Sequence, residues 1–171
     1  MEGKGRITGH TGLLALIGSP VGHSGSPAMY NYSFEKLGLD YAYVAFDIKV
    51  EEVKAALDAM RLFHMRGCNV TMPCKTEAAK YMDELSPAAR IIGAVNTIVN
   101  EDGKLIGHMT DGEGFVGNLR DHGIEIKGKK ITVAGGGGAA TAIQVQCALD
   151  GAREISIFNI KDDFFERTLE T

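Results

Sequence analysis

One stretch decides the fold class of this chain: Lys130-Ile131-Thr132-Val133-Ala134-Gly135-Gly136-Gly137-Gly138-Ala139-Ala140. An apolar run of strand length ends in four consecutive glycines, and an apolar segment of helix length follows to about residue 150. A second run of strand length covers residues 155–159. A strand, a glycine turn, a helix and another strand are typical of a parallel βαβ unit, so we predict an α/β fold.

The same alternation of strand-length and helix-length segments begins at Leu13. It predicts strands at 13–18, 41–48, 68–70, 91–100 and 104–108 and helices at 26–38, 51–66, 75–84, from 86 onward, and 111–122. Glu101-Asp102-Gly103 is a hairpin-type turn signal between the last two strands. The polar segments near residues 121–128 predict a boundary between a first domain, 1–122, and a second, 123–171.

Composition excludes several classes of protein. The net charge is −4 over 171 residues, and the longest basic cluster is the short segment 127–130, which argues against a nucleic-acid partner. No apolar run approaches the roughly 20 residues that cross a bilayer, so we expect no membrane partner and a cytoplasmic location. The three cysteines are scattered without CxxC spacing, so we predict neither disulfides nor a metal site.

The glycine turn is the first candidate site. Gly135, Gly137 and Ala140 satisfy the GxGxxA form of the dinucleotide fingerprint, in which glycines let the backbone approach a pyrophosphate at a helix N-terminus. A glycine-rich turn without a ligand is the alternative. About 20 residues on, where a ribose-reading group belongs, stands Asn159-Ile160-Lys161-Asp162. Because both charges are present there, the choice between NAD and NADP stays open, and Asp162 could equally serve a helix at 162–169.

Polar side chains also follow three predicted elements of the first part of the chain. Ser24 and Ser26 are hydroxyl donors suited to a small carboxylate, although Ser26 could be a plain helix N-cap. Lys75 follows a strand and could exchange a proton with a ligand, or lie on the surface. Asn96 lies in an apolar run and needs hydrogen-bond partners if buried, and Asp111 heads a helix and could be only its N-cap.

Taken in order, these segments resemble the shikimate dehydrogenase family, including its quinate/shikimate branch. The stretches that carry the resemblance are SPVGHSxSPxMxN at 19–31, NVTMPxK at 69–75, DELSP at 83–87, IGAVNTIVNEDGKLIG at 92–107, TDGxGF at 110–115 and GGAATA at 137–142. Such an ordered set is far more specific than any single motif.

The resemblance implies a two-domain α/β enzyme that oxidises shikimate, or in some members quinate, reversibly with NADP or NAD. Ser24 and Ser26 would hold the substrate carboxylate. Thr71, Lys75, Asn96 and Asp111 would hold the ring hydroxyls, and Lys75 would transfer the proton with Asp111 as its partner. The cofactor would lie against Gly135, Gly136, Gly137, Gly138, Ala139, Asn159, Lys161 and Asp162. A homodimer is an assembly that the sequence leaves open.

Some positions depart from the family pattern. Gly25 stands where the family usually has leucine, and Ile160 stands where NADP-using members have an arginine. From Lys129 onward there are two strands, one helix and the start of another, which is less than half of a doubly wound fold. We therefore expect a substrate-binding catalytic domain followed by an incomplete Rossmann-like domain. The alternative function is a non-catalytic chain that binds shikimate-like ligands or assembles with another chain.

Overall fold

A computed structural model describes residues 7–161. The chain divides into two compact units. The first contains the residues up to Glu84 together with Val95–Gly107, and the second contains Leu85–Ala94 together with the residues from His108 onward. This division differs from a boundary at residue 122, because the helix that ends just before residue 122 belongs to the second unit. The residue at which the cofactor domain begins stays a prediction.

The described elements alternate between strands and helices, as the α/β prediction requires. The strands are β1 (Gly12–Gly18), β2 (Tyr41–Asp47), β3 (Gly67–Val70), β4 (Glu84–Leu85), β5 (Thr97–Glu101), β6 (Lys104–His108), β7 (Lys130–Ala134) and β8 (Glu154–Phe158). The helices are α1 (Ser26–Leu37), α2 (Val53–Leu62), α3 (Lys75–Ala79), α4 (Pro87–Ile92), α5 (Asp111–Asp121) and α6 (Gly138–Leu149).

The larger sheet orders its strands β2-β1-β3-β5-β6-β4. β1 lies between β2 and β3 and is parallel to both, and β5 is antiparallel to β3. β1 is a central strand, and Ala15, Leu16 and Ile17 are buried. Successive side chains point to opposite faces of the sheet, which explains why the sequence of β1 is continuously apolar and does not alternate. The chain therefore leaves β1 and β3 at the same edge of the sheet, the edge at which β5 begins.

Two helices contribute to the core of the first unit for reasons visible in their sequences. Phe34 of α1 packs into a cluster with Leu16 and Tyr43. In α2, Val53, Leu57 and Met60 are buried and recur at helical spacing, which puts them on one face. The helical spacing of the apolar residues thus selects the buried face of α2, and the sheet supplies the apolar surface that covers it.

The second unit pairs β7 and β8 in parallel, from Lys130↔Glu154 to Ala134↔Phe158. Helices α5 and α6 cross very closely, since a Cβ added at Gly112 would run into the carbonyl oxygen of Ala142. Val116 and Cys147 are buried in the core between these elements. The close crossing requires glycine at position 112.

Three predicted elements were wrong in extent. The helix predicted at 51–66 is a 3₁₀ turn, Val50–Glu52, followed by α2, which ends at Leu62 before His64 takes a φ of 50°. The helix predicted at 75–84 ends at Ala79, because Asp83 instead exchanges hydrogen bonds with Leu105 and leads into β4.

The third concerns residues 91–100, predicted as one strand. α4 continues to Ile92 and ends with Gly93 at a φ of 68°, and β5 begins only at Thr97. Glycine at the left-handed C-terminal position stops the helix, and apolar composition alone could not separate the last helical turn from the strand. The predicted turn before β6 is confirmed, with Asp102 and Gly103 both at positive φ.

The expectations of no membrane-spanning helix, no metal site and no disulfide can be compared with the structure for residues 7–161 only. None of the helices between residues 7 and 161 has the length and apolar character needed to cross a membrane. Within the same residues there is no group of three or more potential metal-ligating side chains. Cys68, Cys74 and Cys147 are buried free thiols.

Candidate functional site

The loops that leave β1 and β3 are joined by backbone hydrogen bonds. The Thr71 N–H donates to the Ile17 carbonyl at 2.9 Å, and the Ser19 N–H donates to the Met72 carbonyl at 3.0 Å. Because parallel strands end at the same sheet edge, the predicted carboxylate-binding loop and the predicted lysine loop lie side by side in the first unit. This edge is where ligands of open α/β sheets bind.

The segment before β5 reaches the same edge from the other direction. Since β5 is antiparallel to β3, Thr97 pairs with Asn69. Asn96, which immediately precedes Thr97, therefore lies next to this pair on the side where β3 ends. The Val70 N–H donates to the Asn96 carbonyl at 2.8 Å, and the Val95 N–H donates to the Lys75 carbonyl at 3.0 Å. The backbones that carry Thr71, Lys75 and Asn96 are therefore tied together directly.

The two serines of the β1 loop stand at the start of α1. The Ser24 Oγ accepts a hydrogen bond from the Ser26 N–H at 3.2 Å, and the N-cap position is Gly25, without a side-chain cap. Ser26 is thus the first helical residue, and the N-cap alternative for Ser26 is wrong. The Ser26 hydroxyl therefore does not serve as the cap of α1.

Two polar residues of the sheet, one of which supports this edge from within β2, were missed by sequence reasoning. The Tyr43 hydroxyl donates to Asn69 Oδ1 at 2.7 Å, and Asn69 Nδ2 donates to Thr97 Oγ1 at 3.2 Å and to the Asn96 carbonyl at 3.5 Å. Burial, the largest cause, raises the pKa of the Tyr43 phenol above its ordinary value, so it remains a neutral donor. The signal in the sequence was an asparagine between two buried strand residues, Cys68 and Val70.

Cys74 immediately precedes Lys75 and is fully buried. Burial, followed by the nearby Glu51 and Glu52 carboxylates, raises the pKa of its thiol above the ordinary value. The thiolate is the nucleophilic form of cysteine, so Cys74 is not a reactive group at neutral pH. Its place is structural, beneath the first turn of α3.

Asp111 belongs to the second unit and is the first residue of α5. The N-cap position is Thr110, so the alternative in which Asp111 is the cap is wrong. Asp111 and Glu113 are both in the first helical turn, where carboxylates interact favourably with the helix dipole. Lys75 lies in the first unit, and its partnership with Asp111 stays a prediction.

The glycine turn of the second unit has its carbonyl groups anchored on α6. Gln144 Nε2 donates to the Gly135 carbonyl at 3.1 Å, Thr141 Oγ1 donates to the Gly136 carbonyl at 3.4 Å, and the Thr141 N–H donates to the Gly137 carbonyl at 2.9 Å. In a trans peptide the N–H points opposite to the C=O. The N–H groups of residues 136, 137 and 138 therefore point away from these anchors.

These glycines fit a dinucleotide phosphate. Gly135 has a φ of 120°, which disfavours any side chain, and a Cβ at Gly137 or Gly138 would meet nothing within 4 Å. The first turn of α6, which includes Ala139, carries no acidic residue. Free amide groups at a helix N-terminus, open space and no opposing charge are what a pyrophosphate requires.

The predicted ribose-reading residues follow β8, whose last residue, Phe158, pairs with Ala134 at the end of β7. This pairing puts Asn159 at the same sheet edge as the glycine turn. Ile160 is 76% exposed and Lys161 is exposed as well. Asp162, the other predicted residue, lies outside the described part of the chain.

Comparison with known proteins agrees with this geometry. Residues 16–98 match the family described as the shikimate dehydrogenase substrate binding domain. Shikimate dehydrogenase (NADP(+)) from Listeria monocytogenes serotype 4b is 56% identical over 168 residues, which are 96% of this chain and 58% of that protein. The chain thus contains this substrate binding domain, and it is similar to shikimate dehydrogenase over nearly its whole length.

Two solved structures superpose closely on the chain. Shikimate 5-dehydrogenase from Listeria monocytogenes, in complex with shikimate and NAD, has a TM-score of 0.94 and 55% identity, covering 97% of this chain and 57% of that one. The ligand-free 5-ketofructose reductase of a Gluconobacter species has a TM-score of 0.88 and 33% identity, covering 94% and 58%. The chain thus spans somewhat more than half the length of the relatives it matches.

Proposed function

We propose that this chain carries the substrate site and the nucleotide-binding loop of an NAD(P)-dependent shikimate dehydrogenase. The reaction is the reversible reduction of 3-dehydroshikimate to shikimate, in the pathway to chorismate and the aromatic amino acids, with quinate as the alternative substrate. The enzyme would be cytoplasmic, and its assembly as a homodimer is tested by sedimentation of the purified chain.

The observation that carries the proposal is the convergence of three segments at one sheet edge of the first unit. The β1 loop, the β3 loop and the segment before β5 are held together by backbone hydrogen bonds, including Ser19 to Met72 and Val70 to Asn96. Each segment brings side chains that can hold part of a small polyhydroxylated acid. This set of donors and acceptors suits one carboxylate and several hydroxyl groups.

The serine hydroxyls would hold the substrate carboxylate. A hydroxyl donor to a carboxylate makes a charge-assisted hydrogen bond, and Ser24 and Ser26 stand at the N-terminus of α1, whose amide groups favour an anion. Thr71 and Asn96 would hold ring hydroxyls. The Tyr43–Asn69 hydrogen bond supports the role of Asn96, because Asn69 in turn donates to the Asn96 carbonyl and so holds its backbone in place.

Lys75 would supply the proton. Reduction of a ketone places negative charge on its oxygen, and an ammonium group within hydrogen-bond reach both stabilises that charge and donates the proton. In the reverse direction the same amine takes the proton from the alcohol. The carboxylate of Asp111 would orient the ammonium group. A bound nicotinamide supplies or accepts the hydride.

Titration of the purified chain with shikimate, followed by isothermal calorimetry, tests the substrate site. We expect Ser24→Ala to weaken binding about tenfold, the loss of one charge-assisted hydrogen bond. Ser33→Ala is the matched control, since Ser33 Oγ donates only within α1, to the Met29 carbonyl at 2.9 Å. Equal affinity for wild type and Ser24→Ala would contradict the assignment of the carboxylate site.

Absorbance at 340 nm with shikimate and NADP⁺ or NAD⁺ tests catalysis separately. Turnover supports the dehydrogenase proposal, and binding of shikimate without turnover at high protein concentration favours the non-catalytic alternative. The coverage of the relatives makes this second measurement necessary, because the chain spans 58% of the first relative.

A further inference from the structure

Gln144 is a polar residue buried in α6. It is only 5% exposed, and the neighbouring Ala142, Val145 and Cys147 are buried as well. Burying an amide group in apolar surroundings costs free energy unless it is hydrogen-bonded. A glutamine at this position is therefore favourable only if its amide makes a hydrogen bond, which leucine or methionine could not make.

The partner of Gln144 is the first residue of the glycine turn. Gln144 Nε2 donates to the Gly135 carbonyl at 3.1 Å across nine residues of sequence. On the other side, the Gly135 N–H donates to the Phe158 carbonyl at 2.7 Å. Gly135 is thus held from α6 through its carbonyl and from the end of β8 through its amide.

This double attachment matters because glycine has more accessible backbone conformations than any other residue, since no side chain restricts it. Gly135 takes a φ of 120°, which residues with a side chain rarely adopt. If the peptide plane after Gly135 rotated, the carbonyl would turn toward the space that the Gly136 N–H faces. A carbonyl oxygen there would repel a phosphate instead of binding it.

We propose that Gln144 is a positioning residue that holds the Gly135 peptide so that the amides of the glycine turn face the dinucleotide phosphates. The proposal rests on the proposed function for its ligand, but the positioning itself is a property of the free protein. Gln144 acts through Gly135 and does not touch the cofactor in this role.

Gln144→Met tests the proposal, because methionine has nearly the same length and lacks the donor. In the free protein this variant loses the bond to the Gly135 carbonyl, so the adjoining bond from the Gly135 N–H to Phe158 should open more often. We expect the hydrogen-exchange protection of the Gly135 amide to fall about tenfold, in line with the free energy of one buried hydrogen bond. We expect the dissociation constants for NAD⁺ and NADP⁺ to rise by a similar factor. The affinity for shikimate should not change.

Gln146→Met is the matched control. Gln146 is in the same helix, and its Nε2 donates to Asp150 Oδ1 at 2.9 Å, at the opposite end from the glycine turn. This variant makes the same chemical change and should leave both the Gly135 amide and the cofactor affinity unchanged. Equal effects of the two variants would mean that Gln144 only contributes to helix stability, and would overturn the proposal.

Gln144→Asn serves if the methionine variant does not fold. It keeps the amide but shortens the side chain by one methylene, so it should lose the same protection at Gly135. Unchanged protection in either folded variant overturns the proposal. If the wild-type chain binds no dinucleotide while Gln144→Met still deprotects Gly135, the cofactor part of the proposed function fails and the positioning role stands.

Discussion

The backbone N–H of Val95 donates a hydrogen bond to the carbonyl oxygen of Lys75 at 3.0 Å. Lys75 begins α3, and Val95 immediately precedes Asn96, so this one bond joins two segments that each carry a candidate site residue. The bond uses the main chain of Lys75 only. This bond holds the backbone from which the Lys75 side chain extends.

The Lys75→Ala variant should lose turnover by about 10²-fold or more, because no other group is proposed to donate the proton. The backbone bond to Val95 does not need the side chain, so we expect the variant to fold and its shikimate affinity to change little. Steady-state kinetics at 340 nm and calorimetry measure the two effects.

Lys80→Ala is the control for Lys75→Ala. Lys80 is an exposed lysine that follows α3, and its Nζ lies 2.6 Å from Glu77 Oε2. Its loss should leave turnover intact. Full activity of Lys75→Ala would remove Lys75 from the mechanism.

Gly112→Ala should destabilise the second unit by about 1–3 kcal/mol, because the added methyl group has no room at the α5–α6 crossing. A Cβ at this position would lie 2.8 Å from the Cβ of Gln146 as well as against the Ala142 carbonyl. Urea unfolding, followed through amide signals of the second unit, measures the change.

Gly117→Ala is the control for that crossing. Gly117 is also in α5, but a Cβ there would meet nothing within 4 Å. Alanine is the better helix former, so this variant should gain about 0.5–1 kcal/mol. A similar loss for both variants would show that helix geometry, and not the close crossing, limits substitution.

Asp83→Asn should lower stability at neutral pH and have no effect in strong acid. The Leu105 N–H, at 2.7 Å, is the largest cause that holds the pKa of Asp83 below its ordinary value, followed by the Arg61 guanidinium at 3.0 Å. A lowered pKa in the folded state stabilises the protein above the unfolded-state pKa, and this stabilisation is lost as the pH falls through the folded-state pKa.

The expected difference is less than about 1 kcal/mol, because the Asp83 side chain is partly exposed to solvent. It should be complete at pH 7, begin to shrink near the unfolded-state pKa of about 4, and disappear at lower pH. Urea unfolding of wild type and Asp83→Asn across this range provides the measurement. A difference that persists undiminished in acid would mean that the charge of Asp83 is not its source.

Ile160→Arg should shift cofactor preference toward NADP⁺ by about tenfold, because a guanidinium group binds a phosphate through charge-assisted hydrogen bonds. Ile160 is exposed and follows β8 by two residues, so an arginine can be accommodated there. The ratio of the dissociation constants for NADP⁺ and NAD⁺, obtained by calorimetry, is the relevant quantity.

The control for charge alone is Ile124→Arg, which adds the same group at another exposed isoleucine of the second unit. It should leave the ratio of the two dissociation constants unchanged. If both variants shifted the ratio equally, the cause would be net charge and not recognition at the end of β8.

Much of the fold follows from local sequence. β7 has the predicted bounds, Lys130–Ala134, because a β-branched run followed by glycines permits little else. Similarly, α1 ends where Gly38 takes a φ of 66°. The end of α3 was not predictable, because Asp83 and Leu105 come together only when the sheet forms. Helix and strand compete for the same apolar residues until that contact decides between them.

The candidate site divides in the same way. Residue type and order were enough to indicate Ser24, Lys75 and the glycine turn, because the hydroxyl, the amine and the lack of a side chain are each recognisable from the residue type alone. Tyr43 and Gln144 have no such signature: each acts through one hydrogen bond to a residue that lies elsewhere in the sequence or in another element.

The sequence by itself determined the α/β class, the glycine turn and the similarity to shikimate dehydrogenases, since these depend on local pattern and on ordered motifs. Only the tertiary structure decided which buried polar groups support the site. A buried hydrogen bond depends on the position and direction of both partners, and those are set when the sheet edge and the helix have come together.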